Sequence, residues 1–324
     1  MTLGKQTALI GVFAAMTLQA GFHAGLAKLD ITPPGPIWLS GYAGRTRPSQ
    51  GVSHRLWAKA LAVEDGRRGK AVLVTTDLIG LPRNVSDIVA ARVLKEYGID
   101  RARLFLNSSH THAGPVVRPN LMTMYFLDEP QKKAVEDYAV KLTEDLVAVV
   151  GAALGDLAPA RISIAHGKTG FAANRRVRTA KGVSFGVENS GPVDHDVPVL
   201  AVRDGSGKLR AALFGYACHN TTLGGDNYQI SGDYAGAAQL ELESMQPGAM
   251  AMFLMLTGAD QNPNPRGTMA HVEQYGKALA TEVNRVLSGV MKPVKPGLRA
   301  AYQSVELEFS PHTREQFEQE LKTG

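Results

Sequence analysis

The sequence predicts an α/β protein built as a large domain, on three observations. Short apolar runs lead repeatedly into polar loops and then into helical patterns, the alternation expected of α/β architecture. With 324 residues, 34.6 kDa and 44% hydrophobic content, the chain is long enough to bury a substantial core. Chemically useful side chains recur just past the predicted strands, the edge where α/β proteins bind ligands.

Residues 1–24 read as a secretory signal: Lys5 precedes an uncharged stretch, and Ala20 and Ala24 suit a signal-peptidase cut. The mature chain, 25–324, is then expected in a bacterial periplasm or exterior. Residues 71–76 form the first predicted strand, ended by Asp77, and 85–97 a helix opened by Pro82 and closed by Gly98. A strand at 103–106 runs into the polar segment 107–114, and 129–150 is a long amphipathic helix. Strands at 161–165 and 197–203 are separated by about thirty residues rich in Gly, Asn and Arg, a length usually reserved for a functional loop. The strand 209–217 delivers His219, and Ser231 and Asp233 are expected to cap a helix through Leu242. A strand at 250–256 leads into the loop 257–267 and a helix at 268–287. The tail reads as β-like over 298–309 and helical over 312–322, a helix without an evident partner, as in a chain that stops inside a larger protein. No repeat is visible.

Composition excludes several functions. Lys and Arg total 35 against 30 Asp and Glu with no basic run, so nucleic acid is not a favoured partner. The single cysteine, Cys218, excludes a disulfide framework and a cysteine-rich metal site.

The strongest constellation is Asn107-Ser-Ser-His-Thr-His-Ala-Gly-Pro115. If the extended conformation continues through it, His110 and His112 point to one face roughly 7 Å apart, close enough to share a metal. Two histidines in a polar turn are the bland alternative. A lone His219 is more often held by a backbone carbonyl; Asp77, Asp194, Asp233 and Asp260 are placed to complete a site, or to make turns and, for Asp233, a helix cap. Arg175-Arg176 reads as a solvated pair, or as a clamp on a substrate oxygen. No Gly-x-Ser-x-Gly elbow is present, and metal chemistry removes the need for one.

Ser-His-Thr-His-Ala-Gly-Pro at 109–115, Cys-His-Asn-Thr-Thr at 218–222, Ser-Gly-Asp at 231–233 and Ala-Asp-Gln-Asn-Pro-Asn at 259–264 occur in that order, after Ala27-Lys-Leu-Asp-Ile-Thr-Pro-Pro and Gly41-Tyr-Ala. This set resembles the N-terminal catalytic domain of the neutral/alkaline ceramidases over about residues 25–290. The resemblance implies mixed sheets layered with helices in a single large domain, and a zinc-dependent amidase acting on the N-acyl bond of a lipid, with peripheral membrane contact. It implies His110 and His219 as zinc ligands, His112 beside the scissile amide, Arg175 orienting substrate and Gly41 as an oxyanion contact. The family's hydrolytic serine is matched here by Asn262, and its downstream Glu and Tyr zinc ligands have no identified counterpart. The expectation is therefore a secreted zinc hydrolase of an amide or ester that uses metal-activated water, with Asn262 positioning the water or the oxyanion. The alternatives are a non-catalytic relative that binds a metal or ligand, and a metal-dependent phosphoester hydrolase.

Overall fold

A computed structural model of the chain describes residues 21–66, 69–308 and 312–323. The expected leader lies outside the described residues except for its last four. Of these, Phe22, His23 and Ala24 already pair with neighbouring strands, so the ordered sheet starts before the expected boundary at 25.

The elements run β1 (Phe22–Asp30), β2 (Gly51–Val52), β3 (Trp57–Asp65), β4 (Gly69–Thr76), α1 (Arg83–Tyr97), β5 (Leu104–Ser108) and α2 (Glu129–Gly155). They continue with β6 (Ala158–Lys168), β7 (Ala172–Thr179), β8 (Gly182–Glu188), β9 (Asp196–Arg203), β10 (Leu209–Tyr216), β11 (Gln229–Ile230) and α3 (Asp233–Met245). The chain closes with β12 (Met250–Met255), β13 (Gln261–Pro263), α4 (Met269–Leu287), β14 (Lys292–Pro293) and α5 (Arg314–Thr323). The main sheet has the order β12-β10-β9-β6-β1-β3-β4-β5, with β14 on β6.

This path contains one plan used twice. In the first half β1, β3 and β4 pair antiparallel and β4 and β5 pair parallel across α1; in the second, β6, β9 and β10 pair antiparallel and β10 and β12 pair parallel across α3. A parallel pair needs a crossover, and in each half a helix supplies it. The sequence shows no repeat because the halves share order, not residues.

Side-chain alternation stacks the halves. Ala58, Ala60 and Ala62 of β3 and Val72 and Val74 of β4 face α1 and α2, while Leu61, Val63 and Leu73 face the other way. Ala212, Phe214 and Tyr216 of β10 face α3 and α4, while Ala211 and Leu213 meet the first half. The period of two gives each sheet two apolar faces, so the layers run helix, sheet, sheet, helix. This is the mixed α/β architecture expected. The halves also meet at β5 and β12, where Asn107 Nδ2 donates to Met255 O and Met255 N–H donates to Asn107 Oδ1, so the parallel pairs end at the same edge.

Three expectations are corrected. The long connector before β9 is largely the hairpin β7–β8, hidden from the sequence because its strands carry Arg, Gly and Ser on exposed faces. Residues 298–308 form no strand. The N-cap of α3 is Gly232 rather than a side-chain cap; Ser231 Oγ accepts from Asp233 N–H, and the Asp233 carboxylate accepts from Thr222, Leu223 and Tyr234 N–H. That carboxylate ties the loop after β10 to α3.

Candidate metal centre

The extended backbone stops at Ser108, and His110 takes the left-handed conformation at φ 61°, a strained value for a non-glycine residue. The premise of a continuous strand through the two histidines therefore fails, yet the rings still meet. Hydrogen bonds fix the turn: Ser109 N–H donates to Thr76 O, His110 N–H to Leu78 O, and Thr111 Oγ1 to Ser231 O. From the other half, His219 N–H donates to Gln261 O.

Three Nε2 atoms converge. His110 Nε2 lies 3.1 Å from His219 Nε2 and 3.3 Å from His112 Nε2, and the possible ligand atoms of the three rings all lie within 4.8 Å of one another. His110 Nδ1 lies 2.7 Å from Ile79 O and His219 Nδ1 2.9 Å from Gly258 O. A carbonyl only accepts, so both Nδ1 atoms carry the proton and both Nε2 atoms present lone pairs. Two lone pairs facing each other at 3.1 Å are placed to share one cation. Tetrahedral zinc with Zn–N about 2.0–2.1 Å separates its ligand nitrogens by roughly 3.3 Å, which matches the spacing here. The residues fit a metal.

Burial keeps the rings neutral, the state a ligand needs. It pushes His110 down, takes His219 to about 4 and, with His110 and His219 alongside, takes His112 to about 3. His112 differs from its neighbours: its Nδ1 is buried without a well-formed hydrogen bond, whereas metal-binding histidines nearly always donate that N–H. Gly41 lies against it. At φ 95° Gly41 adopts a conformation that favours glycine, and a Cβ there would sit 2.4 Å from His112 Nδ1.

Arg175 and Asn262 complete the cluster. Arg175 Nη2 lies 3.2 Å from His219 Nε2, and its Nη1 donates to Asn262 Oδ1 at 3.1 Å. Thr221 Oγ1 donates to the same Oδ1 at 3.2 Å. A guanidinium only donates, so the carbonyl end of Asn262 must face Arg175 and the Nδ2 donors point away.

All six residues named from the sequence, His110, His112, His219, Arg175, Asn262 and Gly41, thus lie in one cluster. The four aspartates do not join it: Asp77 accepts from Trp57 N–H and Gln239 Nε2, Asp194 from Asp196 N–H, and Asp260 from Asn174 Nδ2. Among the described residues no carboxylate or thiolate groups with the histidines.

Sequence reasoning missed Thr221, Tyr42 and Arg45. The Tyr42 ring meets His112 edge-on, and the buried Arg45 donates to Ser40 O and His112 O. Burial lowers Arg45 to about 10. Only its neighbour, the Gly41-Tyr-Ala element, signalled it. Beside His110 and His219 opens a groove of about 490 Å³, with Leu81, Leu106, Met255 and Leu256 on its walls.

Fold and cluster together define a layered α/β protein with a candidate metal centre at its strand ends. Residues 22–284 match the neutral/alkaline non-lysosomal ceramidase family, N-terminal domain, and the chain belongs to that family. It is 28% identical over 258 residues to a neutral ceramidase of Pseudomonas aeruginosa, covering 75% of this chain and 37% of that protein. To a neutral ceramidase of Mycobacterium tuberculosis it is 24% identical over 306 residues, covering 83% and 46%. Two solved structures share the fold. A ceramidase complexed with C2 superposes with TM-score 0.72 at 22% identity, over 85% of this chain and 45% of that one. The neutral ceramidase from Pseudomonas aeruginosa gives 0.70 at 23%, over 85% and 46%. The chain spans less than half the length of these relatives.

Proposed function

We propose that this chain is a zinc-dependent hydrolase of an N-acyl amide or ester bond in a lipid-like substrate, working outside the cytoplasm. The observation that carries the reading is the pair of carbonyl-oriented imidazoles, His110 and His219, whose Nε2 lone pairs face each other at 3.1 Å. The relatives are named neutral ceramidases, so an N-acyl lipid amide is the first substrate to try.

His110 and His219 would hold the metal, and zinc, when bound, supplies Lewis acidity that brings a water's pKa towards neutrality. His112 fits a different task. Burial keeps this ring neutral, and its proposed part is to orient the substrate carbonyl beside the metal. Asn262, its Oδ1 occupied by Arg175 and Thr221, offers Nδ2–H to the oxygen on which charge develops. An amide cannot serve as a nucleophile, so no covalent acyl step passes through position 262. Arg175 holds the amide in place, and the Gly41 backbone leaves His112 the room it needs.

The test is metal content by elemental analysis together with turnover on a panel of N-acyl amides and esters. Wild type is expected to carry about one zinc per chain and to hydrolyse a member of the panel; the His110→Ala/His219→Ala variant loses both. Metal bound without turnover of any substrate would favour the second reading, a non-catalytic relative, to which Asn262 in place of a hydroxyl also points. A folded wild type that refuses zinc sinks the zinc hydrolase and leaves a non-catalytic relative that binds another ligand. Turnover of phosphoesters alone would select the phosphoester hydrolase.

A further inference from the structure

We propose that the β7–β8 hairpin is a docking element for an anionic lipid surface. Arg176 stands opposite Phe185 and Arg178 opposite Val183 in the register, and directly opposed residues of antiparallel strands point to one side. Val187, two residues beyond Phe185, continues that side. Its apolar members are open to solvent, Val183 at 61%, Phe185 at 67% and Val187 at 50% exposure, and Arg176 and Arg178 are exposed beside them. Contiguous exposed apolar side chains mark an interaction surface more often than isolated ones do.

The charges say which surface. The hairpin carries Arg175, Arg176, Arg178 and Lys181 against Glu188 alone, so its partner is anionic. Valines on either side of Phe185 give aliphatic surface, which suits acyl chains. Arginine stems bury in a headgroup layer while their guanidinium groups stay with the phosphates. Arg175 and Arg176 already lie 4.8 and 5.1 Å from the Phe185 ring centroid, so cation and aromatic would enter the interface together.

The root of the hairpin is the site itself, since Arg175 bonds Asn262 and approaches His219. A second exposed aromatic, Phe126 at 92%, is next in the chain to Tyr125, whose hydroxyl accepts from Gly41 N–H. A membrane held by the hairpin is thereby brought to the mouth of the cluster.

Co-sedimentation of the purified chain with vesicles tests this, using phosphatidylcholine alone and phosphatidylcholine mixed with phosphatidylserine. Binding is expected to the mixed vesicles at low salt and to be much weaker to the neutral ones. Arg178→Gln and Lys181→Gln should each weaken it roughly fivefold. Val183→Ser/Phe185→Ser should abolish it, with thermal midpoint and zinc content unchanged. Wild-type binding to neither vesicle overturns the proposal, as do charge variants that bind like wild type. So does a Val183→Ser/Phe185→Ser variant that still binds vesicles, or one whose only change is a smaller mass in light scattering, which would make the face an interface between copies. No substrate is turned over in this assay, so its outcome and that of the hydrolase test are independent.

Discussion

In the first half of the sandwich the third strand of the plan, β4, delivers a carbonyl, Ile79 O, and the fourth, β5, delivers the histidine it orients, His110. In the second half the assignment is reversed: the third strand, β10, delivers His219, and the fourth, β12, delivers Gly258 O. Each parallel pair thus makes one neutral imidazole with its Nε2 lone pair outward, and the two face each other across the halves. The difference lies in what else each half adds. The first contributes His112 against Gly41; the second contributes Asn262 and Arg175, whose proposed part is to act on oxygen rather than on metal. The swap teaches that the shared plan fixes where strand ends lie, while the loops decide which end carries the ligand.

The comparison breaks most visibly at the ligands. If both halves are required, His110→Ala and His219→Ala should each abolish zinc binding to the same extent, read by elemental analysis and zinc titration. A His219→Ala variant that keeps full occupancy, with His110 and His112 as the ligands, would show that the first half supplies a site by itself. The oxygen-facing side is sharpened by Asn262→Asp, which retains an acceptor for Arg175 and removes the Nδ2 donors. Turnover should fall about 10²–10³-fold, the cost of one oxyanion donor, with zinc content unchanged.

Much of this was legible in the sequence. Asp77, His110, His112, His219 and 260–264 follow strands whose apolar runs are plain, so the site edge could be read without knowing how strands pair. The doubling could not. β1 and β3 alternate small residues with Lys28 and Lys59, which blurs their period, and the pairing that joins the halves covers only Phe22–Ala24 with Ala158–Ala160. The aspartates misled because a carboxylate after a strand can also anchor backbone, as Asp77 and Asp233 do. The orientation of Asn262 is set by Arg175, a contact across 87 residues of chain that no local pattern encodes.

Lys59 crosses between the halves and is a larger lever on stability than the surface ion pairs. Its ammonium is buried, bonded to Glu243 Oε1 at 2.8 Å and Ala251 O at 2.7 Å. Burial lowers its pKa from 10.5 despite Glu243. Glu243→Ala should cost about 3 kcal/mol, the lower end for a broken buried pair, because Glu243 is itself partly exposed. The sign with pH follows. A lysine with a lowered folded pKa bears its burial cost below that pKa and sheds it as pH rises towards the unfolded value of 10.5. The deficit of Glu243→Ala should therefore shrink in alkali, measured by urea denaturation across pH. A deficit independent of pH would mean lost packing and not an unpaired charge.

The smallest expected effect tests the edge at which the halves meet. Asn107 uses a side-chain amide to do what a neighbouring strand would do, pairing both the N–H and the C=O of Met255 at 3.0 and 3.1 Å. Asn107→Ala leaves both backbone groups without that partner, but they lie at the rim of a groove where water can replace it, so the cost should be about 1–2 kcal/mol. Zinc affinity discriminates more finely. His110 follows Asn107 by three residues and Gly258 follows Met255 by three, so a loosened seam lets the two oriented imidazoles drift apart. Weaker zinc binding beyond the loss of stability would make the seam part of the metal centre; unchanged affinity would show that the bonds to Ile79 O and Gly258 O hold each ring within its own half.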